Sequence, residues 1–275
     1  MRTRHTRAAL GTAALAGLIA AATCALLDAR QPAMPREDQL KPKWEVNDSW
    51  VVEAVTQPVQ LRAGGDDKTP PPPPAPPIKA QYKFTVAKKE KLGAAECFRV
   101  EITAHPDPKN QPTTKIWLDT RSLARRQLET KLPEDGAFAT VTESDYPKDG
   151  PPATVTGPLT AVPVDMPVFV GGRAGEQSFS YEAASGPAAA KRDPNDVAFA
   201  VDIKQTTTPV TAESARGMIP ERFSRDLQNQ PLVKVELKTA ERTVTQLWQV
   251  GQPWPVYTKS GPTEARLVSF TPAKK

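Results

Sequence analysis

The sequence is poor in the side chains on which most catalysis depends. Histidine and cysteine each occur only twice in 275 residues. His5 and Cys24 lie in the first thirty residues, so His105 and Cys97 stand alone in the remainder. A zinc site draws three or four ligands largely from these two residue types, and a serine or cysteine nucleophile needs a positioned base. His105 lies in "AHPDPKNQP", where three prolines mark an exposed loop. No G-x-S-x-G elbow is present, and Gly171-Gly172 lacks the Lys-Ser/Thr partner of a phosphate loop. Asp66-Asp67 and the run Asp193 to Asp196 lack the alternating ligands of a calcium loop and read as ordinary turns. The sequence therefore nominates no catalytic residue, metal site or cofactor, and the expectation is a non-enzyme.

Aromatic residues are also scarce, at 6%, yet five of them are tryptophans. Proline is abundant, with thirty residues spread along the chain. An interior proline removes a backbone donor and clashes with the preceding helical turn, so long helices are excluded. Short strands between proline-containing loops remain.

The single long uncharged run is Ala8 to Leu27, preceded by Arg2, Arg4 and Arg7. A basic start, an apolar middle and small residues before the next charge form an export signal, assigned to residues 1–29. Ala20-Ala21-Ala22 offers a cleavage site. Cleavage there removes three arginines and no acid, lowering the formal charge from +5 to +2. The basic balance thus belongs partly to the leader and does not argue for nucleic-acid binding, which needs a clustered basic face. A lipid anchor at Cys24 would want Leu three residues earlier and a small residue just before it, where Ala21 and Thr23 stand. Membrane attachment follows only if Cys24 is lipidated. The expected location is periplasmic or extracellular. Cys97, in the strand pattern "AAECFRVEITA", reads as a half-buried thiol packed like a small hydrophobe, the alternative being a nucleophile without a visible base.

Residues 30–43 contain Pro32, Pro35 and Pro42 and read as a mobile leader. A single β domain is expected over 44–272. The proline run at 62–77 reads as a loop within it, because one strand before it cannot bury a core alone. Period-two alternation recurs in about ten or eleven segments. Tyr82, Phe84 and Val86 share one face, as do Phe98, Val100 and Ile102. Two segments depart from this pattern. "TGPLTAVPVDMPVFVGG" is apolar but broken by prolines, and is assigned to covering the sheet. The stretch 211–230 carries the only helix signals, around Pro220.

The stretch "TKIWLDTRSLARRQLETKL" reads as a hairpin. Lys115, Trp117 and Asp119 share a face, Asp119 to Ser122 form the turn, Arg125 projects with Gln127, and Arg126 projects with Leu128. Trp117, Asp119, Ser122 and Arg126 form a W-x-D-x-x-S rung followed by arginine. This rung resembles one in the lipoprotein-carrier (Lol-type) superfamily of periplasmic proteins, and the strands from Tyr82 to Ser144 are similar to that family's sheet. The resemblance covers about a quarter of the chain and transfers no functional residue. It implies a curved antiparallel sheet cupping an apolar groove.

The expected fold is all-β and antiparallel, either one strongly curved sheet (a half-barrel) or a two-layer sandwich, with one or two short helical turns. The expected function is a non-catalytic envelope protein with an apolar groove for a lipid-like or hydrophobic ligand. The alternative is a structural or protein-interaction module binding another envelope protein. Trp117, Phe169, Trp248 and Trp254 are the candidate ligand-binding residues, since large apolar side chains on both faces of several strands demand a cover.

Overall fold

Twelve strands form one sheet in the order β6-β5-β4-β3-β2-β1-β12-β11-β10-β9-β8-β7. The computed structural model describes residues 32–58, 75–109, 111–121, 123, 125–131, 138–142, 174–184, 198–218, 231–240 and 242–274. Met34–Lys275 form one compact unit. The export signal, Cys24, Phe169, Pro220 and most of the proline run lie outside the described residues.

The first half comprises β1 (Ser49–Thr56), β2 (Ile78–Leu92), β3 (Ala95–His105), β4 (Thr113–Asp119), β5 (Arg125–Lys131) and β6 (Phe138–Thr142). The second comprises β7 (Gly175–Ala184), β8 (Ala198–Val210), β9 (Leu232–Lys238), β10 (Thr243–Gln249), β11 (Tyr257–Ser260) and β12 (Thr263–Thr271). Two short helices complete the described structure, α1 (Glu37–Leu40) and α2 (Ala212–Met218). Each half is an antiparallel meander, and β1 pairs with β12 to join them at the centre. The expected strands are present, with β11 added. The described strands belong to one sheet, so the single-sheet alternative holds and the two-sheet sandwich does not.

Thr56 lies directly opposite Ile78 in the β1–β2 pair. The chain between Thr56 and Ile78 therefore connects two adjacent antiparallel strands. The end of the expected leader is anchored: Leu40 is buried, and Met34 packs with it against the β8–β10 core.

Register carries one face across the joint. Ala54 faces Ala265, Ala265 faces Thr258, and Thr258 faces Gln246. Trp50, Val52, Phe84, Val86, Val100, Ile102, Ile116 and Leu118 lie on this face in the first half, and all are fully buried. Val235, Leu237, Val244 and Trp248 continue it in the second. The other face is largely charged, as in the Glu53–Arg266 pair at 3.1 Å. There α2 covers only a local patch, where Ala215 meets Val55, Leu232, Leu247 and Tyr257.

The hairpin at 114–132 departs from strict alternation. A β-bulge between Trp117 and Leu118 sets Trp117 opposite Gln127 but Leu118 opposite Arg125. An extra residue on one strand reverses the side on which later side chains project. Arg125 therefore joins the Leu118 face and is buried, while Arg126 faces Asp119. The expected orientations of the two arginines are exchanged.

Candidate functional site

The site begins with a tight turn before β1. In "WEVNDSW", Asn47 takes φ 77°, a left-handed conformation that asparagine tolerates better than most residues. The Asp48 carboxylate is buried and accepts the Glu45 N–H at 2.7 Å and the Ala273 N–H at 2.8 Å. Backbone bonds Asn47 N–H to Val86 O (2.8 Å) and Val86 N–H to Asp48 O (2.9 Å) pin the turn to β2. One carboxylate thus ties together the start of β1 and the segment after β12. The turn reverses the chain so that Trp44 lies back over Trp50.

A second loop reaches the same place. Residues 250–256 join β10 to β11, and Gly251 at φ 82° supplies a conformation that costs glycine nothing. The loop lays Trp254 onto Phe84 and Trp50, with ring centroids 4.8 and 5.5 Å apart. Trp44 stacks on Trp50 at 5.2 Å and 23°, and meets Phe98 edge-on at 5.6 Å. Such pairs each add about 0.5–1.5 kcal/mol beyond area burial. A hydrogen bond from Trp44 Nε1–H to the Pro253 carbonyl at 2.9 Å latches the two loops.

The described cover over this aromatic part of the apolar face is thus two loops, each contributing a tryptophan. Beneath it the Trp50 and Trp254 indole N–H groups are buried and find no acceptor among the described residues. The Trp248 N–H is in the same condition in the neighbouring core. A buried unmet donor costs roughly 1–3 kcal/mol. The face also carries buried polar groups: Thr258, Gln246, Gln205 and Thr207, with Gln205 Nε2–H donating to Thr207 Oγ1 at 3.4 Å.

Of the four expected ligand-binding residues, Trp254 and Trp248 lie over or on the apolar face but in separate clusters. Trp117 is on the opposite face, where its Nε1–H donates to Glu90 Oε1 at 2.8 Å. Phe169 lies outside the described residues. Sequence reading did not nominate Trp44 or Asp48. The signal available was the six-residue spacing of Trp44 and Trp50 around an N-D turn.

The Trp117 face is a structural network. Glu90 accepts from Trp117 and pairs with Lys88, and these contacts hold its carboxyl below the usual carboxylate range, Lys88 first, against the opposing effect of partial burial. Asp119 pairs with Arg126 at 3.1 Å, and its Oδ1 accepts the Arg121 N–H at 2.8 Å. Cys97 lies between Glu90 and Asp119 in register. Burial, then the Asp119 carboxylate, pushes its thiol up to about 11, the opposite of an activated nucleophile.

The sequence matches no protein-family model and no curated protein.

Proposed function

We propose that this protein is an exported, non-catalytic envelope protein that holds a lipid-like or hydrophobic ligand against the apolar face of its sheet. The observation that carries the reading is the cover over the aromatic cluster. It consists of two loops joined by an indole hydrogen bond, and two indole donors beneath it find no acceptor among the described residues. A loop cover can move aside without breaking the strand ladder. An ester, amide or carboxyl oxygen entering with an apolar chain would satisfy the Trp50 or Trp254 N–H and replace the lost ring contacts. The rung at Trp117, Asp119 and Arg126 resembles that of the Lol-type carriers and agrees with this reading. Export is supported by Arg2, Arg4, Arg7 and the uncharged run after them.

The alternative, an envelope interaction module without a small ligand, is favoured by the packing of Trp50, Trp248 and Trp254, each 1% exposed. Titration with a fluorescent fatty acid separates the two. Saturable binding that perturbs tryptophan emission in a cooperatively folded sample supports the ligand reading. Absence of binding in that sample overturns it and leaves the interaction module. Mass spectrometry of the native protein should find a start between Ala22 and Arg30; an intact Met1 in the mature protein would count against export, and an acylated Cys24 start would establish the anchored form.

A further inference from the structure

The cover over the aromatic cluster reaches beyond it. The segment 34–44 sends Trp44 into that cluster and Leu40, with Met34, into the neighbouring core around Trp248. The loop 250–256 does the same, with Trp254 in the first and Val250 against the second. Both pieces lie outside the strand ladder. Pro35, Pro42, Pro253 and Pro255 are buried within them. A chain laid on an apolar face must still satisfy its backbone donors, and proline has none to satisfy. Each piece thus seals both clusters, and lifting the pair would open one continuous apolar path.

The length of that path follows from the sheet order. Trp50 on β1 and Trp248 on β10 share the face and are separated by β12 and β11. Three strand spacings of about 4.7–4.9 Å make roughly 14 Å. Ala265 and Thr258 carry the face across the two intervening strands, and both side chains are small and buried. The two ends differ in chemistry. The aromatic end holds two buried indole donors without an acceptor among the described residues, Trp50 and Trp254, on rings 5.5 Å apart. The far end is a wall of Ile203, Val233, Val235, Leu237 and Val244 around the single Trp248 indole.

Resting on the ligand reading above, we infer that the ligand is a long-chain acyl compound. Its carbonyl lies at Trp50 and Trp254, and its chain crosses β12 and β11 to end in the Trp248 core. With C–C bonds of about 1.5 Å, an extended chain advances about 1.25 Å per carbon, so about eleven carbons cover the distance. The chain takes the places of Trp44, Leu40 and Val250, replacing apolar contacts with apolar contacts. Shorter chains fill only the aromatic end.

The test uses uncharged monoacylglycerols with chains of eight, ten and twelve carbons, each below its aggregation concentration. The native chain is isotope-labelled at its five indole nitrogens. Affinity, read from tryptophan fluorescence, should rise about fourfold for each added methylene up to the twelfth carbon, the usual gain per buried CH₂. In nuclear Overhauser spectra of the twelve-carbon complex, the methylene beside the carbonyl should contact the Trp50 or Trp254 N–H. The terminal methyl should contact the Trp248 N–H, and Trp117, bonded to Glu90 on the other face, should contact neither. An affinity that levels off at eight carbons, or a terminal methyl seen only at Trp50 and Trp254, overturns the long-chain inference and leaves the hydrophobic-ligand reading standing. The reverse orientation, or several molecules bound per chain at saturation, overturns it as well. Failure of every chain length to bind a sample that circular dichroism shows to be folded overturns both.

Discussion

Trp44 and Pro253 are joined by an indole-to-carbonyl hydrogen bond of 2.9 Å, the direct latch between the segment before β1 and the loop between β10 and β11. Both loops lie over the aromatic part of the face, so the bond connects the two halves of the cover. Trp44→Phe keeps a ring and removes the donor, leaving the Pro253 carbonyl without it. Stability to urea should fall by about 1 kcal/mol, the usual net value of one hydrogen bond. If the cover opens for a ligand, fatty-acid uptake should also become faster. A variant with unchanged urea midpoint and unchanged uptake would show that the latch is idle.

Asp48 provides a sharper test of how the cover is positioned. Its two carboxylate oxygens serve backbone donors at Glu45 and Ala273, and no other residue in the turn can replace both. Asp48→Ala should cost on the order of 3–6 kcal/mol, because it removes two hydrogen bonds to a charged group, each worth about 1.5–3. Asp48→Asn, which keeps one acceptor oxygen, should lose less. Chemical denaturation of the three proteins gives the ranking; an alanine variant as stable as the native chain would refute the role.

Cys97 should be inert in the folded protein. A thiol with its proton held to about pH 11 instead of the ordinary 9.0 has a thiolate population about a hundredfold smaller at pH 8. Its reaction with a disulfide reagent should therefore be at least that much slower than in denaturant. Folding retains this proton, so the site's contribution to stability is complete below about pH 9. It is lost as pH rises toward 11, where the native thiol also ionises. Cys97→Ala should flatten that part of the pH–stability curve. Rapid labelling at pH 8 under native conditions would contradict the prediction.

The proline run should be dispensable for folding. Because Thr56 and Ile78 already pair, replacing Gly64 to Pro77 by a short Gly-Ser linker leaves the ladder intact. Loop-length changes cost only about 0.6 kcal/mol per doubling. Thermal unfolding should stay cooperative, with a midpoint within a few degrees of the native value. Loss of cooperativity would mean the run packs against the sheet.

Much of the architecture was legible before any coordinates, because a strand half-buried on one face writes its burial into a period of two. Phe84, Val86, Val100 and Ile102 alternate cleanly and are all buried. Proline excluded long helices for an equally local reason. Where local rules were modified, reading stopped. The bulge at Trp117–Leu118 exchanged Arg125 and Arg126 between faces, and no composition signal marks it. β11 was missed because "YTKS" is four residues long with little alternation.

The candidate site depended on tertiary structure more heavily. That tryptophans would be buried follows from their chemistry. Which of them would meet does not, since Trp44, Trp50 and Trp254 come from the segment before β1, a central strand and a distant loop. Sequence reading placed Trp117 with Trp248 and Trp254, yet register sends Trp117 to the charged face. The sequence by itself determined the residue types and the strand period, which are properties of neighbours along the chain. Only the tertiary structure decided that β1 would pair with β12. That pairing brings residues far apart in sequence to one face, because hydrogen-bond register, not sequence distance, sets who stands beside whom.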